Sequence, residues 1–129
     1  MLVVDDQPEN LELVAEILSE EGYRIQLAHD GESALAMVAA EQPDCIVLDV
    51  MMPRLDGFAV CRRLKGDERT RDLPIVVLTA KAMDRDDRER LHGKIEALVH
   101  KTDCSPARLE AVLRDVVRRQ LRAAGTADA

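Results

Sequence analysis

Aromatic side chains are scarce in this chain of 129 residues, which has one tyrosine, one phenylalanine and no tryptophan. A protein that holds a flavin needs aromatic side chains that stack on the ring near the ligand crevice, and only Tyr23 and Phe58 are available. The sequence therefore disfavours a flavin-binding protein, whatever its fold.

Cysteine is also sparse, and Cys45, Cys61 and Cys104 include no close pair. An odd number of widely spaced cysteines provides neither a disulfide framework nor a tetrahedral metal site. We interpret all three as packing or surface residues of a protein in a reducing compartment.

Long apolar segments are absent, since no run approaches the ~18 consecutive apolar residues that a membrane span requires. The chain also lacks a basic start followed by an apolar stretch and a small-residue cleavage site. We predict a cytoplasmic protein that does not contact a membrane, although residues preceding this chain could change that. The length suits one domain with a core of its own.

Clustered positive charge is missing from most of the chain, whose net charge is −7. Direct binding to nucleic acid is not predicted, because it needs grouped lysines and arginines that neutralise phosphates. The basic residues Arg114, Arg118, Arg119 and Arg122 stand near the end of a helical pattern, where cations favour the helix dipole. We interpret them as a solvated helix face.

Five apolar segments alternate with five helical patterns along the sequence. The predicted strands cover residues 2–5, 24–28, 45–48, 75–79 and 95–99. The predicted helices cover a stretch from Pro8 to before Gly22, residues 31–40, 58–65 and 84–91, and a last amphipathic segment around residues 109–117. Such alternation requires right-handed crossovers between parallel strands, so we predict a doubly wound α/β fold with helices on both faces of the sheet. The domain is predicted to cover residues 1–122, with residues 123–129 as a flexible C-terminal tail.

Polar residues that could carry chemistry stand at the ends of the predicted strands. These are Asp5, Asp6, Asp49, Thr79 and Lys101. Doubly wound folds bind ligands outside the carboxyl ends of their strands, so all five can reach one crevice. Each alone has an ordinary structural explanation as a helix cap, a strand residue or a surface lysine.

Three carboxylates in one crevice would repel each other by roughly 3 kcal/mol per pair at ~5 Å and an effective dielectric of 20. A hard divalent cation such as Mg²⁺ would relieve this repulsion and suits oxygen ligands beside a phosphate. One carboxylate could then attack a phosphoryl group while a hydroxyl and an ammonium contact its oxygens. Asp49, Thr79 and Lys101 fit these three roles.

Three stretches of the sequence resemble the receiver domains of bacterial response regulators. They read LVVDDQPENLELV, IVLDVMMPRLDGFAVCRRLK and PIVVLTAK. The resemblance covers nearly the whole chain and includes the gaps from Asp49 to Thr79 and from Thr79 to Lys101. It implies a flavodoxin-like sheet with strand order 2-1-3-4-5.

The resemblance also implies a role for each residue of the crevice. Asp49 would take a phosphoryl group from a phosphohistidine of a sensor histidine kinase or phosphotransfer domain, in a reaction that the domain itself catalyses. Asp5, Asp6 and Asp49 would hold Mg²⁺ together with the backbone carbonyl of Met51. Thr79 and Lys101 would bind the phosphoryl group, and the signal would pass to a downstream protein partner.

Two positions depart from the family pattern. Lys101 is followed by Thr102, where the family has proline after a cis bond, and a cis bond before another residue costs about 2.5 to 4 kcal/mol. We therefore predict a trans bond and a rerouted loop, which leaves the direction of Lys101 open. Leu98 stands where the family often has the aromatic ring that moves with the threonine, so any conformational signal must use other parts.

Alternatives to an active phosphoacceptor remain open at this stage. The domain could be a free-standing regulator or a fragment of a hybrid histidine kinase. The hybrid kinase is slightly favoured, because the unusual region around the fifth strand resembles receivers attached to large sensor kinases. It could also be a pseudo-receiver that interacts with partners without phosphorylation. His29, His92 and His100 are interpreted as surface residues, because no two lie within one helical turn.

Overall fold

Five short strands form one parallel sheet in the computed structural model, which describes residues 1–103 and 105–128, without the side chains of residues 103 and 120–128. In chain order the described elements are β1 (Leu2–Val4), α1 (Pro8–Glu20), β2 (Gln26–Ala28), α2 (Gly31–Ala40), β3 (Ile46–Leu48), α3 (Gly57–Lys65), β4 (Ile75–Thr79), α4 (Arg85–Leu91), β5 (Ala97–His100), a 3₁₀ turn (Lys101–Asp103) and α5 (Pro106–Asp128). The strand order is β2-β1-β3-β4-β5, and every neighbouring pair is parallel. The predicted doubly wound fold and its strand order are confirmed.

Helices cover both faces of the sheet, and strand β4 illustrates the consequence. Ile75 and Val77 belong to the core on the side of α2, α3 and α4, whereas Val76 and Leu78 belong to the core on the side of α1 and α5. Successive side chains of a strand point to opposite faces, so a strand buried on both faces is apolar without alternation. All five β4 residues are buried, and Thr79 ends the strand at the carboxyl edge of the sheet.

Most strand and helix boundaries lie within two residues of the predicted ones, whereas α5 extends well beyond the predicted segment around residues 109–117. Strand β2 begins at Gln26, two residues later than predicted. Strand β5 covers Ala97–His100 and lies later than predicted. Helix α4 begins at Arg85, since Asp84 caps it from outside.

Helix α5 is the longest element, and its backbone continues to Asp128. The flexibility of residues 123–129 stays a prediction. None of the helices in the described ranges is both long enough and apolar enough to span a membrane.

Aspartates fix the starts of three helices beside the carboxyl edge of the sheet. Asp30 accepts a hydrogen bond from the Ser33 backbone at α2, and Asp56 accepts one from the Ala59 backbone at α3. Asp84 caps α4 in the same way. Such caps satisfy backbone donors that have no partner within the helix, each contributing about 1 kcal/mol. They hold the loops that surround the strand ends.

Gly57 begins α3 directly after the capping residue Asp56. Its φ is not positive, and the reason for glycine is space. A Cβ atom at this position would lie 2.5 Å from both the Asp49 carbonyl oxygen and the Val50 Cα. The start of α3 is therefore packed directly on the backbone that follows β3.

We expect Gly57→Ala to destabilise the fold by about 3 kcal/mol, because the added methyl group meets backbone atoms that cannot rotate away. Urea unfolding would measure the change. Gly66→Ala is the matched control, because the nearest contact of the added methyl group would be a carbonyl oxygen at 3.2 Å. This variant should lose clearly less stability. Equal losses in the two variants would show that the close approach at Gly57 is unimportant.

Candidate functional site

Asp49 lies directly after β3 with only 5% of its surface exposed. Its Oδ1 accepts hydrogen bonds from Thr79 Oγ1 at 2.8 Å and from the Met51 backbone nitrogen at 2.9 Å. Its Oδ2 accepts a hydrogen bond from Lys101 Nζ at 2.8 Å. Three donors at the ends of three strands therefore fix the orientation of one carboxylate.

Asp5 faces Asp49 across the Lys101 ammonium. Lys101 Nζ lies 2.7 Å from Asp5 Oδ2, and the other oxygen of Asp5 accepts the Gln7 backbone N–H at 3.0 Å. Burial alone would lower the pKa of Lys101, but its hydrogen bonds to Asp49 and Asp5 raise the pKa above its ordinary value. The ammonium stays charged and balances two buried carboxylates.

The direction of Lys101, left open by the sequence, is thus settled by the structure. The Lys101–Thr102 bond is trans, as we predicted. Lys101 opens the 3₁₀ turn after β5, and this turn still directs the side chain to the crevice. His100 Nδ1 and Thr102 Oγ1 lie 2.6 Å apart on the outer side of the turn.

Thr79 connects the carboxylate to the loop after β4. Its hydroxyl is fully buried, donates to Asp49 and accepts the Lys81 backbone N–H at 3.2 Å. Ala80 beside it is exposed. Any movement of the Thr79 hydroxyl would therefore change its hydrogen bond with the Lys81 backbone N–H.

Asp6 and Met51 stand at the border of the crevice. Asp6 is half-buried and takes part in none of the hydrogen bonds or ion pairs found among the described residues. The Met51 side chain is exposed. The structure thus brings Asp5, Asp49, Thr79 and Lys101 into direct contact, with Asp6 adjacent in sequence to Asp5 and Met51 bonded to Asp49 through its backbone.

The carboxylates have the chemistry that a hard cation requires, although within residues 1–103 and 105–128 no three acidic, imidazole or thiol groups could hold a metal as they stand. The oxygens of Asp5 and Asp49 already converge on one cationic atom, the Lys101 nitrogen. Oxygen ligands of this kind suit Mg²⁺. The donor set fits that ion, provided that the ammonium shifts to admit it.

The sequence reasoning missed the contacts of the Lys81 side chain. Its ammonium lies 3.2 Å from Asp87 Oδ2, and Asp87 and Asp84 form a reciprocal capping box at α4. The acidic pair at a spacing of three residues is the signal that indicates a capping box. The lysine partner carries no comparable signal.

Other residues considered from the sequence lie apart from the crevice. Cys45 and Cys61 are buried in the cores on opposite faces of the sheet, and burial raises the pKa of these thiols to about 12 and about 11. Neither is a nucleophile. Cys104 lies outside the described residues.

The aromatic and basic residues also lie outside the crevice. Leu98, which replaces the family's aromatic residue, is partly exposed on β5. The Arg90 guanidinium lies over the Phe58 ring, with its Cζ atom 3.9 Å from the centre of the ring. Arg114 and Arg119 pair with Glu110 and Asp115 on the same helix, as a solvated face would.

Comparison with known proteins gives a consistent result. Residues 1–114 match the family model described as the response regulator receiver domain. Response regulator MprA from Mycobacterium tuberculosis is 56% identical over 81 residues, which cover 63% of this chain and 34% of MprA. The chain thus spans about a third of the length of such curated relatives.

Solved structures agree with the family match. The signal receiver domain of a signal transduction histidine kinase from Syntrophus aciditrophicus is 34% identical, with a TM-score of 0.78 over 95% of this chain and 89% of that one. The BeF₃-activated N-terminal receiver domain of RstA from Klebsiella pneumoniae is 33% identical, with a TM-score of 0.81 over 91% of this chain and 97% of that one.

Proposed function

This chain belongs to the response regulator receiver domain family, and from that premise we propose that Asp49 accepts a phosphoryl group from a phosphohistidine on a sensor histidine kinase or phosphotransfer domain. One observation carries the proposal. The Asp49 carboxylate ends β3 with the Thr79 hydroxyl and the Lys101 ammonium both 2.8 Å from its oxygens. A buried nucleophile, a hydroxyl donor and a cation are the groups that phosphoryl transfer needs.

The transfer exchanges one bond for another. A carboxylate oxygen of Asp49 forms the O–P bond while the P–N bond of the phosphohistidine breaks, and the electron pair returns to the imidazole nitrogen. The phosphoryl oxygens bring negative charge into a crevice that already holds Asp5 and Asp49. Lys101 offsets that charge, and Thr79 can redirect its hydroxyl from Asp49 to a phosphoryl oxygen.

Mg²⁺ is the cofactor that the acidic crevice fits. Asp5, Asp6 and Asp49 would hold it through carboxylate oxygens, with the Met51 carbonyl oxygen as a further ligand. When bound, this ion neutralises developing charge on the phosphoryl oxygens. For that to happen the Lys101 ammonium must leave the position between Asp5 and Asp49 and contact the phosphoryl group instead.

The signal is proposed to leave the domain through contacts with a downstream protein. A free-standing regulator and a receiver joined to a larger protein would use the same phosphoryl transfer to Asp49. A phosphorylation-independent module is not favoured by any specific observation, since the Asp49 carboxylate contacts both the Thr79 hydroxyl and the Lys101 ammonium.

The test is intact mass after incubation with Mg²⁺ and acetyl phosphate, a small phosphodonor. We expect the wild type to gain the mass of one phosphoryl group, and we expect EDTA to prevent the gain. A folded protein that gains nothing, with a donor preparation that modifies another receiver domain, would contradict the proposal and favour the interaction module.

A further inference from the structure

His100 is the last residue of β5, and the sheet fixes the position of its backbone. In the register of β4 and β5 it pairs with Thr79, whose hydroxyl donates to Asp49. The next residue, Lys101, opens the 3₁₀ turn and carries the ammonium that contacts Asp5 and Asp49. The backbone on the strand side of Lys101 is therefore held by its pairing with β4.

The His100 side chain holds the backbone on the other side of Lys101. Its Nδ1 accepts the Thr102 backbone N–H at 3.3 Å, and the Thr102 hydroxyl oxygen lies 2.6 Å from the same nitrogen. A side-chain acceptor that receives the N–H two residues ahead forms an Asx turn, in which aspartate or asparagine usually supplies the acceptor. The imidazole of His100 therefore fixes the first bend of the 3₁₀ turn.

The turn has no proline that could restrain it in another way. Thr102 follows Lys101 through a trans bond, and its φ angle is not locked by a ring. The lysine side chain is a flexible four-carbon stem with a strongly hydrated charge. If the turn were loose, the ammonium would spend more time in water and less time between the two carboxylates.

We propose that His100 is a positioning residue, which fixes the turn through Thr102 and so keeps the Lys101 ammonium between Asp5 and Asp49. The inference rests on the proposed function, because the ammonium placed in this way is the one that contacts the incoming phosphoryl group. Within residues 1–103 and 105–128, the hydrogen bonds found for the imidazole involve Thr102 alone. Any effect of the imidazole on the transfer must therefore pass through the turn.

His100→Leu tests the proposal, because leucine has similar bulk and no acceptor. We expect phosphoryl uptake from acetyl phosphate and Mg²⁺ to become about fivefold slower, the size of effect that one net hydrogen bond produces. We also expect Mg²⁺ to bind about threefold more tightly, since an ammonium that is less often between the carboxylates competes less with the ion. The initial rate of mass gain and calorimetric titration with Mg²⁺ measure the two quantities. A variant that merely loosens the domain would weaken both.

His100→Asn is the rescuing variant. The asparagine side-chain oxygen is bonded to Cγ, as Nδ1 is in histidine, so it can accept the Thr102 N–H from nearly the same place. Both quantities should return to within about twofold of the wild-type values. His92→Leu removes an exposed histidine at the end of α4 and should behave like the wild type. Thermal unfolding of each variant verifies that the domain stays folded.

A double variant shows whether His100 acts through Lys101. Adding His100→Leu to Lys101→Met should change neither quantity further, because no ammonium is left to be positioned.

Four results would overturn the inference. They are an unchanged value of either quantity in His100→Leu, weaker Mg²⁺ binding in that variant, no rescue by asparagine, and a full effect of His100→Leu in the absence of the Lys101 ammonium. The proposed function has a separate outcome, because it fails if the wild type takes up no phosphoryl group. The Mg²⁺ titration would then still decide whether His100 positions Lys101.

Discussion

Asp49→Asn is expected to lose phosphoryl uptake by at least about 10³-fold, because an amide oxygen is a far weaker nucleophile than a carboxylate. Asparagine has the shape of aspartate, and its carbonyl oxygen can still accept the bonds from Thr79 and Met51. The loss should therefore reflect chemistry and not folding. Intact mass with acetyl phosphate and Mg²⁺ measures the uptake, and thermal unfolding verifies the fold.

Asp44→Asn is the matched control for this prediction. Asp44 is exposed shortly before β3 and loses the same charge without touching the crevice. Its uptake should equal that of the wild type. If Asp49→Asn still gains one phosphoryl group in a Mg²⁺-dependent reaction, another residue is the acceptor and the proposed role of Asp49 is wrong.

Much of the fold follows from local patterns in the sequence. The run from Ile75 to Thr79 is apolar and β-branched, and its predicted bounds agree with β4 because both faces of that strand are buried. The bounds of β2 and β5 agree less well. Edge strands of a sheet have one neighbour instead of two, so pairing constrains their ends less strongly than those of a central strand.

The part of the candidate site that the strand topology determines could be predicted from the sequence. Parallel strands send their carboxyl ends to one edge, which is why Asp5, Asp49 and Thr79 meet without any local signal that they should. The direction of the Lys101 side chain was harder to predict. It depends on the turn after β5, and the sequence departs from the family pattern at that turn. The observed 3₁₀ turn shows that a trans bond is compatible with the contact.

Contacts between side chains on separate helices and strands could not be predicted from the sequence. The Lys81–Asp87 pair and the close approach of Gly57 to Val50 depend on how α3 and α4 pack against the strand ends. A residue type and a spacing do not determine such distances. The capping role of Asp87 was accessible from its spacing to Asp84, but its attachment to Lys81 required coordinates.

The opposite charges in the crevice lead to a prediction with two opposed effects. We expect Lys101→Met to bind Mg²⁺ about tenfold or more tightly, because removing the ammonium leaves the acidic crevice without its internal cation. The same change should slow phosphoryl uptake from acetyl phosphate by about 10²-fold, since a donor aimed at the developing charge is lost. Calorimetric titration with Mg²⁺ and the initial rate of mass gain measure the two effects separately.

Lys94→Met is the matched control for the lysine, because Lys94 Nζ donates to the Arg90 carbonyl oxygen on the surface, away from the carboxylates. Lys94→Met removes one positive charge, as Lys101→Met does, and should change neither the Mg²⁺ affinity nor the uptake rate by more than about twofold, the scale of a screened surface charge. A Lys101→Met variant with unaltered Mg²⁺ affinity would mean that the ammonium does not compete for the carboxylates. Tighter Mg²⁺ binding with undiminished uptake would mean that Lys101 balances the resting crevice without assisting the transfer.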